Sequence, residues 1–322
     1  MTKVIKWGIL GLGNIAQNFA EDLSLIEDAK LVAVASRSMV KANDFSAKFN
    51  VKQAYNSYSD LAKDPNVEAI YIATPHSFHK EHAILCMKHK KAVLCEKPFA
   101  MNLIEVNEMI AVAKDNNVLL MEALWTFFLP HYKYLLDTVK NQSLGKLEKL
   151  EADFGFKAAY DLEGRFLKKE IGGGSLLDIG IYPIFAALST LGKPKNIEAN
   201  ASFYETGADS ECNTVFNYDD ATAVLKSTLL KETKSEAIYT FTDGVLKLNT
   251  RFHEPTTITI IKNDVETTKD IPYKGFGYYY EILHFNQLLR NGKKESYIMS
   301  FEFSKVLIKT IDKVRNLIGL EY

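Results

Sequence analysis

Residues 1–122 alternate short apolar runs with amphipathic stretches, and this alternation restricts the fold more than any other feature of the chain. "VIKWGIL", "LVAVAS", "VEAIYIAT", "KAVLCEK" and "VLLMEAL" are apolar runs of strand length. Helical patterns lie between them, such as "NLIEVNEMIAVAKDNN", where Asn102 and Glu105 have the spacing of a capping box. Strands that are apolar along their whole length and separated by helices belong in a parallel sheet covered on both faces.

The pattern changes after residue 122. "KLEKLEADFGFKA", "NIEANASFYE", "ATAVLKSTLL", "EAIYTFT", "GVLKLNT", "TTITIIK" and "VETTKDI" read as strands without long helices between them, and short turns such as "YDD" and "TDG" favour antiparallel hairpins. Two helical patterns, "YYYEILHFNQLLRNGKK" and "FEFSKVLIKTIDKVRNLI", close the chain. The expected fold is α/β. A doubly wound, Rossmann-type domain is expected over residues 1–122, and an α+β domain with a large, mainly antiparallel open sheet over residues 123–322. The 322 residues suffice for two such domains.

Charge and cysteine content narrow the function. The 39 basic and 40 acidic residues leave a net charge of −1, so neither nucleic acid nor an anionic membrane surface is an expected partner. Cys86, Cys95 and Cys212 are an odd number without metal-type spacing and read as reduced thiols. No apolar run approaches the roughly 18 residues of a membrane span. Lys3, Lys6 and the glycines interrupt any secretory pattern, so a soluble, cytoplasmic protein is expected.

The first strand runs into Gly11-Leu12-Gly13-Asn14-Ile15-Ala16, a G-x-G-x-x-A turn. Gly11 permits a tight turn and Gly13 lets backbone N–H groups reach a pyrophosphate. Ala16 is small enough for the helix to pack closely on the strand. The helix N-terminus adds unpaired N–H groups and a partial positive charge. A glycine turn alone is a weak signal; its place after the first strand of an alternating α/β segment makes it a dinucleotide site. The second strand ends in Ser36, Arg37 and Ser38, where an NAD site would carry a carboxylate. A guanidinium pairs with a 2′-phosphate, so NADP is expected, with NAD possible. "ATPHSFH" supplies Thr74, Pro75, His76 and His79 to a coenzyme-facing loop, and "LCEKPFA" sets Glu96 and Lys97 after another strand. Ligands of open α/β sheets bind at such carboxyl ends.

G-x-G-x-x-A, "ATPHSFH" and "EKP" at these spacings resemble the Gfo/Idh/MocA oxidoreductase family, and "GGGSLLDIGIYPI" extends the resemblance into the second half. Many members carry Asp-x-x-x-His in that segment, with the histidine as catalytic acid/base. This chain has Asp178 followed by Tyr182, a variant similar to the dimeric dihydrodiol dehydrogenase branch, also described as NADP-dependent D-xylose 1-dehydrogenases. "LLMEALWTFFLP" is similar to that branch as well, except that Phe127 stands where it commonly has Arg. The resemblance implies catalysis by Lys97, Tyr182 and Asp178, with Trp125 and Phe154 on the substrate side; Phe276, in "KGFGYYYE", reads as part of a loop near the same site. Four-residue spacing sets Asp178 and Tyr182 on one helical face. Arg165, in a polar stretch before the glycine segment, reads as a solvated surface residue, with contact to substrate oxygens as the alternative. His131, His253 and His284 lack ligand spacing, so no metal is expected.

Oxidising an alcohol needs a base for the hydroxyl proton. A free tyrosine, with a pKa of about 10, is a poor one near neutrality. A neighbouring ammonium favours phenolate, which gives Lys97 its expected role toward Tyr182 beside the nicotinamide. Asp178 would orient a substrate hydroxyl or the lysine. The substrate expected is a vicinal diol, aldose or related polyol. Two other classes fit a dinucleotide fold: a glycoside-cleaving enzyme without net coenzyme turnover, and a non-catalytic regulator. Retention of both Lys97 and Tyr182 favours redox chemistry. Apolar and Thr-rich outer positions in the second-half strands suit sheet-to-sheet pairing into a homodimer.

Overall fold

The computed structural model describes residues 3–322. They divide into two compact units, each discontinuous in sequence. The first takes the chain up to Trp125 together with Lys274–Lys305; the second comprises Thr126–Tyr273 and Val306–Tyr322.

The first unit opens with β1 (Ile5–Leu10), α1 (Asn14–Ser24), β2 (Ala29–Ala35), α2 (Met39–Phe49), β3 (Gln53–Tyr55), α3 (Tyr58–Lys63), β4 (Ala69–Ile72), α4 (His79–Lys88), β5 (Ala92–Glu96), α5 (Leu103–Asn116) and β6 (Leu120–Ala123). The strands form one parallel sheet in the order β3-β2-β1-β4-β5-β6, the doubly wound order. β4, β5 and β6 are buried along their whole length, as a sheet covered on both faces requires. The Asn102 side chain accepts the Glu105 N–H at 3.0 Å, and the Glu105 carboxylate reaches back to the Met101 N–H. The predicted capping box thus forms, one residue wider than its simplest version.

The second unit contains α6 (Pro130–Asn141), β7 (Leu147–Gly155), α7 (Ile181–Leu191) and seven further strands. These are β8 (Asn196–Phe203), β9 (Asp209–Asn217), β10 (Thr222–Thr228), β11 (Ala237–Phe241), β12 (Gly244–Leu248), β13 (Ile258–Lys262) and β14 (Val265–Lys269). Together with β7 they make an eight-stranded sheet in the order β14-β13-β12-β11-β7-β10-β9-β8. All neighbours are antiparallel except β7 and β10, which run parallel.

Lys169–Leu191 corrects the expectation that no segment matches a membrane span: its length and apolar composition would suffice for one. However, 94% of its most apolar window is buried within the protein, and α7 packs on β7 and β10, so this is a core segment. The turn directly before α7, Leu176–Gly180, is a π-turn rather than regular α-helix. The chain then supplies α8 (Tyr278–Arg290) to the first unit, while α9 (Phe301–Ile318) crosses the division between Lys305 and Val306.

Candidate active site

The glycine turn has the geometry a dinucleotide needs. Gly11 adopts φ +92°, and a side chain there would meet the Ala73 carbonyl oxygen at 2.8 Å, so only glycine fits. Gly13 is the N-terminal boundary of α1, and a Cβ added to it meets nothing within 4 Å. No side chain caps this helix end. Its N–H groups therefore face an open cradle flanked by exposed Asn14 and Ile15 and half-buried Leu12, while Ala16 is fully buried beneath.

Arg37 is exposed at the end of β2 and hydrogen-bonds Tyr58. Ser36 accepts the Ser38 N–H at 3.3 Å, and Ser38 accepts the Lys41 N–H as the cap of α2. Both hydroxyls act as acceptors in this turn, which leaves their O–H groups for a phosphate. A cationic, hydroxyl-lined turn without a carboxylate, beside an uncapped helix N-terminus, fits a phosphorylated dinucleotide.

The loops after β4 and β5 are tied together by one histidine. His79 is fully buried, with Nδ1 2.8 Å from the Pro98 carbonyl and Nε2 2.8 Å from the Thr74 carbonyl. The two carbonyls favour a doubly protonated ring, but burial and the nearby His76 oppose it; burial wins and draws the pKa down to about 3. The Thr74 hydroxyl meets His82 Nδ1 at 3.0 Å, whereas Pro75 is exposed and His76 half-buried. Glu96 turns inward: one carboxylate oxygen accepts the Tyr71 hydroxyl and the other the Lys97 N–H. Lys97 itself is half-buried at the carboxyl end of β5.

Two aromatic residues expected near substrate also lie in the first unit. Trp125 stacks on Tyr278, with centroids 4.5 Å apart. Phe276 is 46% exposed, so its ring is available to a ligand. The Phe276, Gly277 and Tyr279 N–H groups donate to the Asp22 carboxylate at 2.8, 2.9 and 3.0 Å, which fixes this loop to α1.

The second unit gathers the remaining residues. Phe154 comes from the end of β7, Asp178 from the π-turn and Tyr182 from the first turn of α7. All three are buried. Gly174, at φ +122°, lets the chain pass Asp209; a Cβ there would come within 2.2 Å of its Oδ1. Asp209 accepts the Leu176 N–H at 2.7 Å and the Ser175 hydroxyl at 2.6 Å, capping the turn that carries Asp178. The Asp-x-x-x-Tyr segment therefore starts from a π-turn, a helix irregularity frequent at functional sites, rather than from the uniform α-helix that the spacing argument assumed.

Arg165 departs from expectation. Its Nη2 lies 3.0 Å from both oxygens of Asp178, so it is the partner of a candidate site carboxylate although its own side chain stays 56% exposed. Phe127 packs edge-on against Phe185 at 5.0 Å, an apolar role where the resembling branch has a cation. His253, considered in the sequence only as a metal ligand, stacks on Phe154 at 4.0 Å and lies 4.8 Å from the Tyr182 ring. No local pattern in the sequence signals this, because the partners come from β7, α7 and a loop after β12.

A doubly wound sheet with an open glycine cradle, joined in one chain to a large open sheet carrying a buried tyrosine, defines an NAD(P)-dependent oxidoreductase of two-unit design. Family comparison agrees: residues 5–124 match the oxidoreductase family with NAD-binding Rossmann fold, and residues 132–246 match the GFO/IDH/MocA C-terminal domain. The chain belongs to the Gfo/Idh/MocA family. It is 36% identical to trans-1,2-dihydrobenzene-1,2-diol dehydrogenase of Xenopus tropicalis, over 98% of this chain and 99% of that one. It is 35% identical to scyllo-inositol 2-dehydrogenase (NADP(+)) IolU of Bacillus subtilis (strain 168), over 99% and 98%. In fold it is similar to the aldose-aldose oxidoreductase of Caulobacter crescentus, with a TM-score of 0.90 at 21% identity and 98% coverage of both chains.

Proposed function

We propose that this protein is a soluble, cytoplasmic, NADP-preferring dehydrogenase that oxidises a vicinal diol, a polyol or an aldose, reversibly, as a homodimer paired through its large sheet. The observation that carries the reading is the buried Tyr182 phenol, packed with Phe154, in the same helical segment as the Arg165-paired Asp178. The full-length relatives named for diols and for scyllo-inositol support the substrate class. When bound, the coenzyme takes up or returns the hydride at its nicotinamide.

The chain's own residues do the rest. Gly11, Leu12, Gly13, Asn14 and Ile15 hold the pyrophosphate on α1, and Ser36, Arg37 and Ser38 hold the 2′-phosphate. Thr74, Pro75, His76, His79 and Glu96 shape the coenzyme loops. Tyr182 takes the proton from the reacting hydroxyl and returns it in the reverse direction. Lys97 supplies positive charge to the developing alkoxide, and Asp178 orients the substrate's second hydroxyl. Trp125, Phe154 and Phe276 offer apolar faces to the carbon skeleton.

Mixing the protein with NADP⁺ and a panel of aldoses, polyols and cyclic diols tests this directly. Growth of reduced-nicotinamide absorbance with at least one of them is expected. Coenzyme binding without turnover across the whole panel would discard the proposal.

The coenzyme assignment has its own test. Arg37→Ala is expected to weaken NADP binding by about 1.5–3 kcal/mol, the range of a hydrogen bond to a charged group, while NAD affinity changes little. Titration of both nucleotides into the variant measures it, and an equal loss for the two removes Arg37 from the 2′-phosphate.

A further inference from the structure

The loop that carries Lys97 is bound along its backbone by buried side chains, and one of them has no part in the reading above. Glu96 accepts the Lys97 N–H at 3.2 Å, and His79 Nδ1 lies 2.8 Å from the Pro98 carbonyl. Glu122 Oε1 accepts the Phe99 N–H at 3.1 Å, and the Cys95 thiol lies 3.9 Å from the Phe99 carbonyl. Glu96 and Cys95 belong to β5, which leads into the loop, so they hold it only to its own strand. The other two hold it to the neighbours of β5. His79 ties it toward β4 through the Thr74 carbonyl, 2.8 Å from Nε2, and Glu122 ties it to β6. In the parallel register of β5 on β6, Glu122 stands opposite Cys95, so both side chains leave the same face of the sheet and meet the same residue, Phe99.

From this geometry we propose that Glu122 is a positioning residue for Lys97: by fixing the Phe99 peptide from the next strand, it sets the course of the loop that presents the lysine. The inference rests on the reading of Lys97 as the cation that meets the developing alkoxide. Glu122 is 2% exposed in a strand whose other members are Leu120, Met121 and Ala123. Burying a carboxyl group there costs free energy that an apolar residue would not, unless the group is hydrogen-bonded. Burial raises its pKa to about 7, against the hydrogen bonds from Ser304 and Phe99. Ionised or protonated, the carboxyl keeps an oxygen that accepts an N–H, so the tie to Phe99 holds in both forms. Lysine carries its ammonium on a flexible four-carbon stem, and where that stem starts is decided by the backbone. A displacement of about 1 Å at a reacting group can cost about a hundredfold in rate, which makes the course of this loop matter to turnover.

The test separates reach from charge in the full protein. Glu122→Asp keeps the carboxyl but withdraws it by one methylene, and Glu122→Met fills the strand position without an acceptor. Glu122→Gln keeps an acceptor oxygen at full reach without the acid. The Asp and Met variants are each expected to lower kcat about tenfold and to speed hydrogen exchange at the Phe99 amide about tenfold, while the Gln variant stays within about twofold of wild type in both. In a Lys97→Ala background the same substitutions are expected to lower kcat no further, because effects that pass through one group do not add. A merely structural role would lower kcat equally in both backgrounds and would gain nothing from glutamine. Either the Asp or the Met variant suffices if the other does not fold. Unchanged kcat or unchanged Phe99 exchange in a folded one, a loss that repeats in Lys97→Ala, or no rescue by glutamine overturns the proposal alone. Full activity of Lys97→Ala is a different result: it removes the catalytic reading of Lys97, and the proposal falls with it.

Discussion

Replacing Tyr182 by phenylalanine is expected to lower kcat by about 100- to 10,000-fold, the usual contribution of a positioned acid/base. The substitution removes one oxygen and leaves the ring that packs against Phe154 and His253, so the second unit keeps its shape. The glycine cradle and Arg37 lie in the other unit, and NADP affinity should stay within about twofold. Steady-state kinetics with a coenzyme titration check both statements. Turnover within tenfold of wild type, about 1.4 kcal/mol of barrier, would mean that another group moves the proton.

The second large effect concerns stability. Glu281, in α8, is fully buried, and neither carboxylate oxygen has a hydrogen-bond partner. Burial, reinforced by the charges of Glu96 and Asp22, pushes its pKa well above the ordinary carboxylate range. The folded chain therefore keeps this proton while the unfolded chain releases it above about pH 4.5. A folded pKa raised in this way makes stability fall with rising pH. The fall begins at the unfolded value, continues up to the folded one, and runs at about 1.4 kcal/mol per pH unit.

Glu281→Gln removes the titration. From about pH 5 up to the pH at which the folded carboxyl itself titrates, the wild type should lose about 1.4 kcal/mol more per pH unit than the variant. Both tryptophans, Trp7 and Trp125, lie in the first unit, so their fluorescence during urea unfolding reports the right transition. Glu122, raised to about 7 by burial, contributes the same slope to both proteins and cancels in the comparison. Parallel stability curves for the two proteins would show that Glu281 is ionised in the fold.

The first unit was legible because its signals are local. Gly11 adopts its left-handed φ of +92° in the short turn between β1 and α1, which closes within a few residues. Asn102 caps the helix that begins at the next residue, and the apolar runs that became β4, β5 and β6 are buried along their whole length. Arg37 could be read in the same way, since the end of β2 is fixed by the strand that precedes it.

The site in the second unit was legible only in part. Phe154, Asp178 and Tyr182 could be named because the Gfo/Idh/MocA resemblance carries them. Their neighbours could not. Arg165 reaches Asp178 from a loop whose sequence reads as surface, and His253 reaches Tyr182 from beyond β12. Neither pair has a periodic spacing, because each is joined by the fold rather than by one helix or one strand.

Sequence alone determined the doubly wound sheet, the dinucleotide cradle and the mainly antiparallel second sheet, since hydrophobic period and turn chemistry act over short stretches. Tertiary structure decided three other features. The π-turn under Asp178 depends on Asp209 in β9, and the contact between the His253 and Tyr182 rings joins a loop after β12 to α7. Lys274–Lys305 groups with the first unit, where Asp22 caps the loop leading into α8. Each depends on a buried polar group finding its partner far along the chain, and only the folded backbone brings such partners into reach.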